Sequence, residues 1–428
     1  MRSQSPLSGL VSPFGTIHQV FTTPSPRGLP ILSRSVALVG MKGSEPDRET
    51  VGFGNALDDP GTASTVALAE AAERYAGMAP LLSANHRWAR VGDLTGTLID
   101  LDRLPRCSAA EYATPGCRLK PFDADATIRW SLGTDLVSGA PIWVPSVMAL
   151  YGLRNRTPGE LFWPSISTGY AVHTDPYAAL CAAICEVIER DIIEILWAQR
   201  LPLPPVAARD LSIGCQMMLN WASEHFLDVI LFDATTDMGV PTVYGLLIAE
   251  HDPCARQAVT CATGVTMAAA AEKSVRDGIA LRDSFDRSWR DRDTIKTDLR
   301  DYTSIYEGAR YMGLAENAAA YDFLLDGYQD RVPQERPELP ENPESRLRWL
   351  IGKVRGKGMQ AIAVDRTTSE LHAAGLTAVC VIIPDLQPMT LQPLAQFRAH
   401  PRLYQAPVLM GYRALTEPEL NPWPQPFA

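Results

Sequence analysis

Histidine is scarce in this chain, seven residues in 428, and the seven are scattered with no His-Glu-x-x-His or similar spacing that would hold zinc. The eight cysteines include no Cys-x-x-Cys pair and sit mostly in apolar stretches, where cysteine acts as a small hydrophobe. Cys181 and Cys185 share a helical face, which cannot bind zinc without two further ligands. Nowhere do about 18 apolar residues follow one another, and the N-terminal "MRSQSPLSGLVSPFG" lacks a basic segment ahead of an apolar run, so neither membrane insertion nor export is indicated and the cytoplasm is expected. Basic residues are outnumbered, giving a formal charge of −10 and a pI near 5.3, which argues against general affinity for nucleic acid or an anionic membrane. Gly-x-Ser-x-Gly and Gly-x-x-x-x-Gly-Lys-Ser/Thr are both missing, so neither a hydrolase elbow nor a Walker phosphate loop is written here.

What remains is an ordinary globular composition, 46% hydrophobic and 21% charged, with strand-like and helix-like segments interleaved, hence an α+β or α/β protein. Residues 31–40, 227–237, 240–250, 359–367 and 376–384 read as strands, and Asp237-Met238-Gly239 supplies turn chemistry between two of them. The stretch "TSELHAAG" between the last two is amphipathic and helical. Residues 327–345, "GYQDRVPQERPELPENPES", can bury little and read as an exposed connection between helices, with freedom to move.

One pattern is written twice. "AEAAERYAG" at 69–77 and "CEVIERDII" at 185–193 both carry Glu-x-x-Glu-Arg, and in each copy an Asp-Pro pair (Asp59-Pro60, Asp175-Pro176) stands ten residues ahead of the first glutamate. Asp followed by Pro is an N-cap and a first helical residue, so each copy opens a helix behind a glycine-containing loop, "VGFGNA" or "SISTGYA". Residues three and four apart share a helical face. Glu70, Glu73 and Arg74 form one stripe, and Glu186, Glu189, Arg190 and Glu194 the other, each hemmed by apolar residues.

A single Glu-x-x-Glu-Arg is usually an exposed ion pair contributing about 0.2–0.5 kcal/mol. Two copies in register on nearly all-apolar helices point instead to buried helices whose acidic lines face a polar cavity or a partner. Converging carboxylates raise one another's pKa unless cations neutralise them. Hard divalent cations take oxygen ligands, and magnesium is commonly held by one or two carboxylates plus substrate phosphates, so the constellation favours a magnesium–nucleotide site outside the Walker type. Arginines beside it could take phosphate oxygens in bidentate fashion.

At these residues the chain resembles the YcaO family, ATP-dependent enzymes that modify peptide backbone amides. The resemblance rests on "STGYAVHTDPYAALCAAICEVIERD" (167–191), "GFGNALDDPGTASTVALAEAAERYAG" (52–77), "DATTDMGVPTVYGLLIA" (233–249) and "VDRTTSELHAAGLTAVCVIIPDLQPM" (364–389), in the family's order. It implies a YcaO-type ATP-binding α+β fold, sandwich-like, with internally repeated loop-helix units around mixed sheets. The expected division is an N-terminal segment, 1–44, packed on a YcaO domain, 45–428, that ends in the proline-rich tail 421–428.

By position, Glu70, Glu73, Glu186 and Glu189 would hold Mg2+, while Arg74, Arg190, Ser167 and Thr168 would contact ATP. The tail "NPWPQPFA" is similar to the C-terminus of azoline-forming members, in which it enters the active site. Pro426, Phe427 and Ala428 are therefore expected at the chemistry, with a docking motif or a frayed end as the alternatives. His173, inside the second motif, is otherwise an ordinary loop histidine.

Three features depart from the family's pattern. Ala428 closes the chain where proline is usual, and Gly52-Phe53-Gly54 stands where azoline-forming relatives show Gly-Lys-Gly. The third repeat, 262–283, is shortened and offers Asp277, Ala280 and Arg282 for Glu-x-x-Gln-x-Arg, leaving Arg282 as a phosphate contact or a surface arginine. The resemblance implies a cyclodehydratase acting on a ribosomal precursor peptide, with a separate leader-binding partner protein and a homodimeric assembly. Thioamide or macroamidine formation, or a nucleotide-binding subunit that has lost turnover, are the other readings.

Overall fold

The computed structural model describes residues 6–40, 50–79, 86–164, 166–285, 289, 291–302, 306–390 and 392–427. Its strands are β1 (Ile17–Thr23), β2 (Leu32–Val39), β3 (Val51–Leu57), β4 (His86–Ala89), β5 (Ile128–Asp135), β6 (Pro141–Pro145), β7 (Tyr170–His173), β8 (Asp228–Asp233), β9 (Thr242–Ile248), β10 (Gln257–Thr263), β11 (Ile362–Asp365) and β12 (Thr377–Ile382). The helices that matter to the site are α1 (Pro60–Met78), α2 (Pro176–Ala198) and α3 (Met267–Asp283).

The chain divides into two compact units, one of Met1–Leu104, Leu119–Val187 and Pro340–Asp385, the other of Pro105–Arg118, Ile188–Leu339 and Leu386–Ala428. The division falls inside α2, between Val187 and Ile188.

The first unit holds two sheets. One runs β1-β2-β3; the other runs β4-β5-β11-β12-β7, with β6 also paired to β5. Trp130, Ile128, Ile142, Val144, Ile362 and Cys380 fill the core of the larger sheet. Helix α1 lies against the smaller one. Asp59 caps it by accepting the Thr62 N–H at 3.0 Å, Pro60 occupies the first turn, and Ala63, Ala67 and Ala71 make its buried face.

The close approach explains the glycines of "VGFGNA". A Cβ on Gly54 would stand 1.9 Å from the Ala63 carbonyl oxygen and one on Gly52 2.3 Å from that of Ala67. Gly54→Ala is expected to destabilise the protein by about 1–3 kcal/mol, read as a lowered urea midpoint with the slope unchanged.

The second unit is built on the sheet β10-β9-β8, with α3 across β9 and β10. Ala222, Leu247, Ala255, Phe285 and Trp289 belong to its core. All strand pairs named here are antiparallel, a narrower arrangement than the mixed sheets expected. The connection after residue 327 is exposed, as its composition requires, but the part within this unit is strapped down. The Tyr328 hydroxyl donates to the Leu231 carbonyl at 2.9 Å, Arg331 donates to the carbonyls of Leu203 and Leu324, and Arg336 meets buried Asp233 at 2.6 Å. Three side chains supply what the backbone composition could not.

Candidate active site

The duplicated helices are held to strands by a repeated hydrogen bond. Phe53 N–H on β3 donates to Glu70 Oε2 at 2.7 Å, and Gly169 N–H, just before β7, donates to Glu186 Oε2 at 3.1 Å. Donor and acceptor are 17 residues apart in both copies. The second glutamate of each helix takes its N–H from the strand of the next repeat. Val172 N–H donates to Glu73 Oε1 at 3.3 Å, and Thr263 N–H, at the end of β10, donates to Glu189 Oε2 at 2.7 Å. Gly169 adopts φ +86°, and a Cβ there would lie 2.2 Å from the Val381 carbonyl oxygen, so this loop position requires glycine.

In the first unit Glu70, Glu73, Arg74 and Glu186 gather. Arg74 Nη2 meets Glu70 Oε1 at 2.8 Å, and the Tyr151 hydroxyl anchors the turn by donating to the Arg74 carbonyl at 2.8 Å. Glu73 keeps a little solvent-accessible surface but is ringed by protein. Burial, together with the charges of Glu186 and Glu70, pushes its carboxyl up to about 8, against the pull of Arg74 and the Val172 N–H. Burial pulls the Arg74 guanidinium down, but Glu70, Tyr151, Glu73 and Glu186 hold it raised. Ser167 and Thr168 lie half-buried in the loop that leads to Gly169.

In the second unit Glu189 is buried, accepts from both the N–H and the hydroxyl of Thr263, and pairs with Arg190 Nη1 at 3.0 Å. The Arg190 guanidinium lies 5.1 Å from the ring centroid of Phe427. Phe427 and buried Pro426 thus lie along α2, whereas Ala428 falls outside the described residues. His173, expected as a loop residue, ends β7 and accepts the Asp175 N–H at 2.9 Å through Nδ1.

Arg282 is engaged elsewhere. It donates to the Ala255 carbonyl and faces buried Asp252 at 3.5 Å, within the fold of the second unit. The cation of α3 that faces Glu189 is Lys273, which the sequence reading did not single out. Lys273 is an exposed residue as a whole, yet its ammonium is ringed by protein, and Glu189 foremost, then Asp277, raises its pKa against burial and the neighbouring arginines 190 and 276. Counting from the helix caps would have found the third helix's register: Thr266 caps α3 as Asp59 caps α1, which sets Asp277 level with Glu70 and Ala280 level with Glu73. It would not have found Lys273, whose partner comes from a different repeat.

Asp191, next to Arg190, was also passed over. It is fully buried and meets Arg402 at 2.7 Å, Arg402 meets Asp237 at 2.7 Å, and Asp191 accepts the Gln387 N–H at 2.8 Å. This triad fixes the second half of α2 to the segment after residue 386 and to the turn between β8 and β9.

A profile described as YcaO cyclodehydratase, ATP- and Mg2+-binding, matches residues 58–387. The chain belongs to the YcaO family. Solved structures agree on the fold. A heterocyclase in complex with substrate and cofactor superposes with TM-score 0.77 at 19% identity over all of this chain and 58% of its own. The heterocyclase TruD superposes with TM-score 0.65 at 18% identity, over 86% of this chain and 51% of its own. The E. coli microcin synthetase McbBCD complex gives TM-score 0.60 at 14% identity, over 86% and 88%. This chain therefore spans only a little over half the length of the first two. A search of curated proteins found no match.

YcaO proteins bind ATP and Mg2+, and the residues of this chain fit both. Among the described residues no three His, Cys, Asp or Glu side chains form a ready-made metal cage. Magnesium does not need one, since one or two carboxylates and the phosphates suffice. Glu73, whose carboxyl holds its proton to about 8 beside two other glutamates, marks a place short of positive charge. Buried Arg74 Nε, with no protein acceptor, suits an anion.

Proposed function

We propose that this protein is an ATP-dependent cyclodehydratase that converts Cys, Ser or Thr of a ribosomally made precursor peptide to thiazoline or oxazoline in the cytoplasm. Glu70, Glu73, Glu186 and Glu189 hold Mg2+, which neutralises the triphosphate when bound. Arg74, Arg190 and the loop residues Ser167 and Thr168 orient the nucleotide, and Lys273, in place of Arg282, contacts the phosphates. The substrate side chain gives up its proton and attacks the preceding amide carbonyl, and the resulting oxyanion takes the γ-phosphoryl group of ATP with release of ADP. Phosphate then leaves with loss of the amide N–H proton, so that the peptide loses the equivalent of one water per ring. Such chemistry asks the protein for positioning and charge neutralisation rather than a covalent nucleophile.

The observation that carries this reading is the docking of the tail. Its Phe427 lies on Arg190, one residue from Glu189, so the tail as far as Phe427 runs along the half of α2 that carries Glu189. In this reading Pro426 and Phe427 position the carboxylate carried by Ala428, and that carboxylate takes and returns the proton at the ring-closing step. Substrate selection rests with a separate leader-binding protein, in keeping with the E. coli relative, which is a complex, and the active assembly is a homodimer.

Deleting residues 421–428 is expected to abolish ring formation while leaving nucleotide binding largely intact. The measurement is the product mass of a Cys/Ser/Thr-rich precursor encoded near the gene, mixed with its leader-binding partner. Undiminished loss of water by the truncated enzyme would contradict the proposal, and exchange of oxygen for sulfur would assign thioamide formation instead.

A further inference from the structure

The tail is extended and antiparallel to the second half of α2, and its contacts fall at a regular interval. The Trp197 indole N–H donates to the Trp423 carbonyl at 3.1 Å. Gln425 Nε2 donates to the Ile193 carbonyl and to Glu194 Oε2, both at 3.3 Å. Phe427 stacks on Arg190. Every second tail residue therefore meets the next turn of the helix. Two extended residues advance about 6–7 Å and one helical turn about 5.4 Å, so the two repeats stay in step over this short length. Alternating prolines keep the segment extended and remove backbone donors that would otherwise be buried unpaired.

Gln425 is the specific member of this set. It is 4% exposed, its amide nitrogen is shared between a main-chain carbonyl and a buried carboxyl, and it sits two residues before the ring that reaches Arg190. Proline or another apolar residue here would leave Glu194 without that donor. Upstream, Asn421 fastens the start of the tail by donating its side-chain N–H to the Trp197 carbonyl at 3.0 Å and its main-chain N–H to Ala198.

We propose that α2 acts as a ruler for the C-terminus, with the Gln425–Glu194 hydrogen bond as the register pin that fixes which tail residue lies on Arg190. The inference rests on the tail's role in the proposed chemistry, but its test does not require that chemistry.

The full-length protein is treated with carboxypeptidase Y and the release of Phe427 is followed by intact mass, against a free synthetic peptide of residues 421–428. The folded protein is expected to lose Phe427 at least about tenfold more slowly than the peptide, since cleavage must await local opening. Gln425→Ala and Gln425→Glu each raise the rate at least about tenfold, and the exchanged pair Glu194→Gln with Gln425→Glu, which restores one donor and one acceptor, returns it to within about threefold of wild type. A glycine inserted between Pro424 and Gln425 unpins the tail, whereas one between Tyr412 and Arg413, upstream of all these contacts, leaves the rate unchanged. Release as fast from the folded protein as from the peptide overturns the ruler without needing any variant. So does failure of the exchanged pair to restore protection, or equal damage from the two insertions. A protected tail in an enzyme whose ring formation survives deletion of 421–428 would uphold the ruler and sink the catalytic role instead.

Discussion

Replacing Arg402 with Met is expected to destabilise the protein by about 3–5 kcal/mol, measured by urea unfolding at neutral pH, because one partner of a buried charge network is removed while the others stay. Arg402 is 2% exposed, and it contacts Asp191 through both Nε and Nη2 and Asp237 through Nη2. Burial pulls its guanidinium pKa down, but Asp191 and Asp237 more than reverse this and hold it raised. Without it the charge of the two buried carboxylates is no longer neutralised by that guanidinium. Neutralising all three groups together, with Arg402→Met, Asp191→Asn and Asp237→Asn, should therefore lose less than the single change. Asp191 adjoins Arg190, so a partial loosening should also weaken nucleotide binding in protein that is still folded.

Glu73→Gln is expected to stabilise the ligand-free protein, and more so as the pH rises. The carboxyl of Glu73 is raised to about 8 in the folded protein from an ordinary value of 4.5, through burial and then through Glu186 and Glu70. Between those values folding takes up a proton, so the contribution is fully present below about 4.5 and is lost as the pH climbs through 8. Glutamine mimics the protonated acid at every pH. The variant should match wild type near pH 4.5 and gain on it toward pH 8, at about 1.4 kcal/mol per pH unit as an upper bound.

Glu194, likewise raised to about 8 by burial, adds a second proton over the same window. The pH slope of wild-type stability should therefore fall by about half in Glu73→Gln rather than vanish. Mg2+ with a non-hydrolysable ATP analogue should reverse the order, stabilising wild type and leaving the variant where it was. Thermal melts across pH 5–8.5, with and without that ligand, check both statements; a variant no more stable than wild type at pH 8 would refute the electrostatic reading of the site.

Sequence alone reached the duplicated helices because the signal is local. Asp59 and Asp175 precede prolines, glutamates follow at a fixed offset, and apolar residues fill the other faces, all within twenty residues. The structure bears out those helices and their starts. What could not be read were partners supplied from far along the chain. Nothing near Glu73 in sequence announces Val172, and nothing near Glu189 announces Thr263 or Lys273.

The surroundings of Arg282 were hidden for the same reason. It sits at the family's offset, but its neighbours in space are Asp252 and Ala255, brought there by β9 and β10. The freedom assigned to residues after 327 overlooked three side chains, Tyr328, Arg331 and Arg336, whose acceptors lie about 100 residues or more earlier for the first and last. Asp191 was visible in the quoted motif, yet only the arrival of Arg402, 211 residues later, distinguishes it from a surface acid.

The central claim is that the carboxylates of the two helices hold a magnesium-bound nucleotide. Isothermal titration of the full-length protein with a non-hydrolysable ATP analogue tests it most directly, with and without Mg2+, for wild type and for the variant carrying Gln at 70, 73, 186 and 189. Wild type should bind with a strict requirement for Mg2+, and the fourfold variant should bind at least about a hundredfold more weakly, a loss of about 2.7 kcal/mol or more. Equal affinity in the two proteins, or wild-type binding indifferent to Mg2+, would contradict the account.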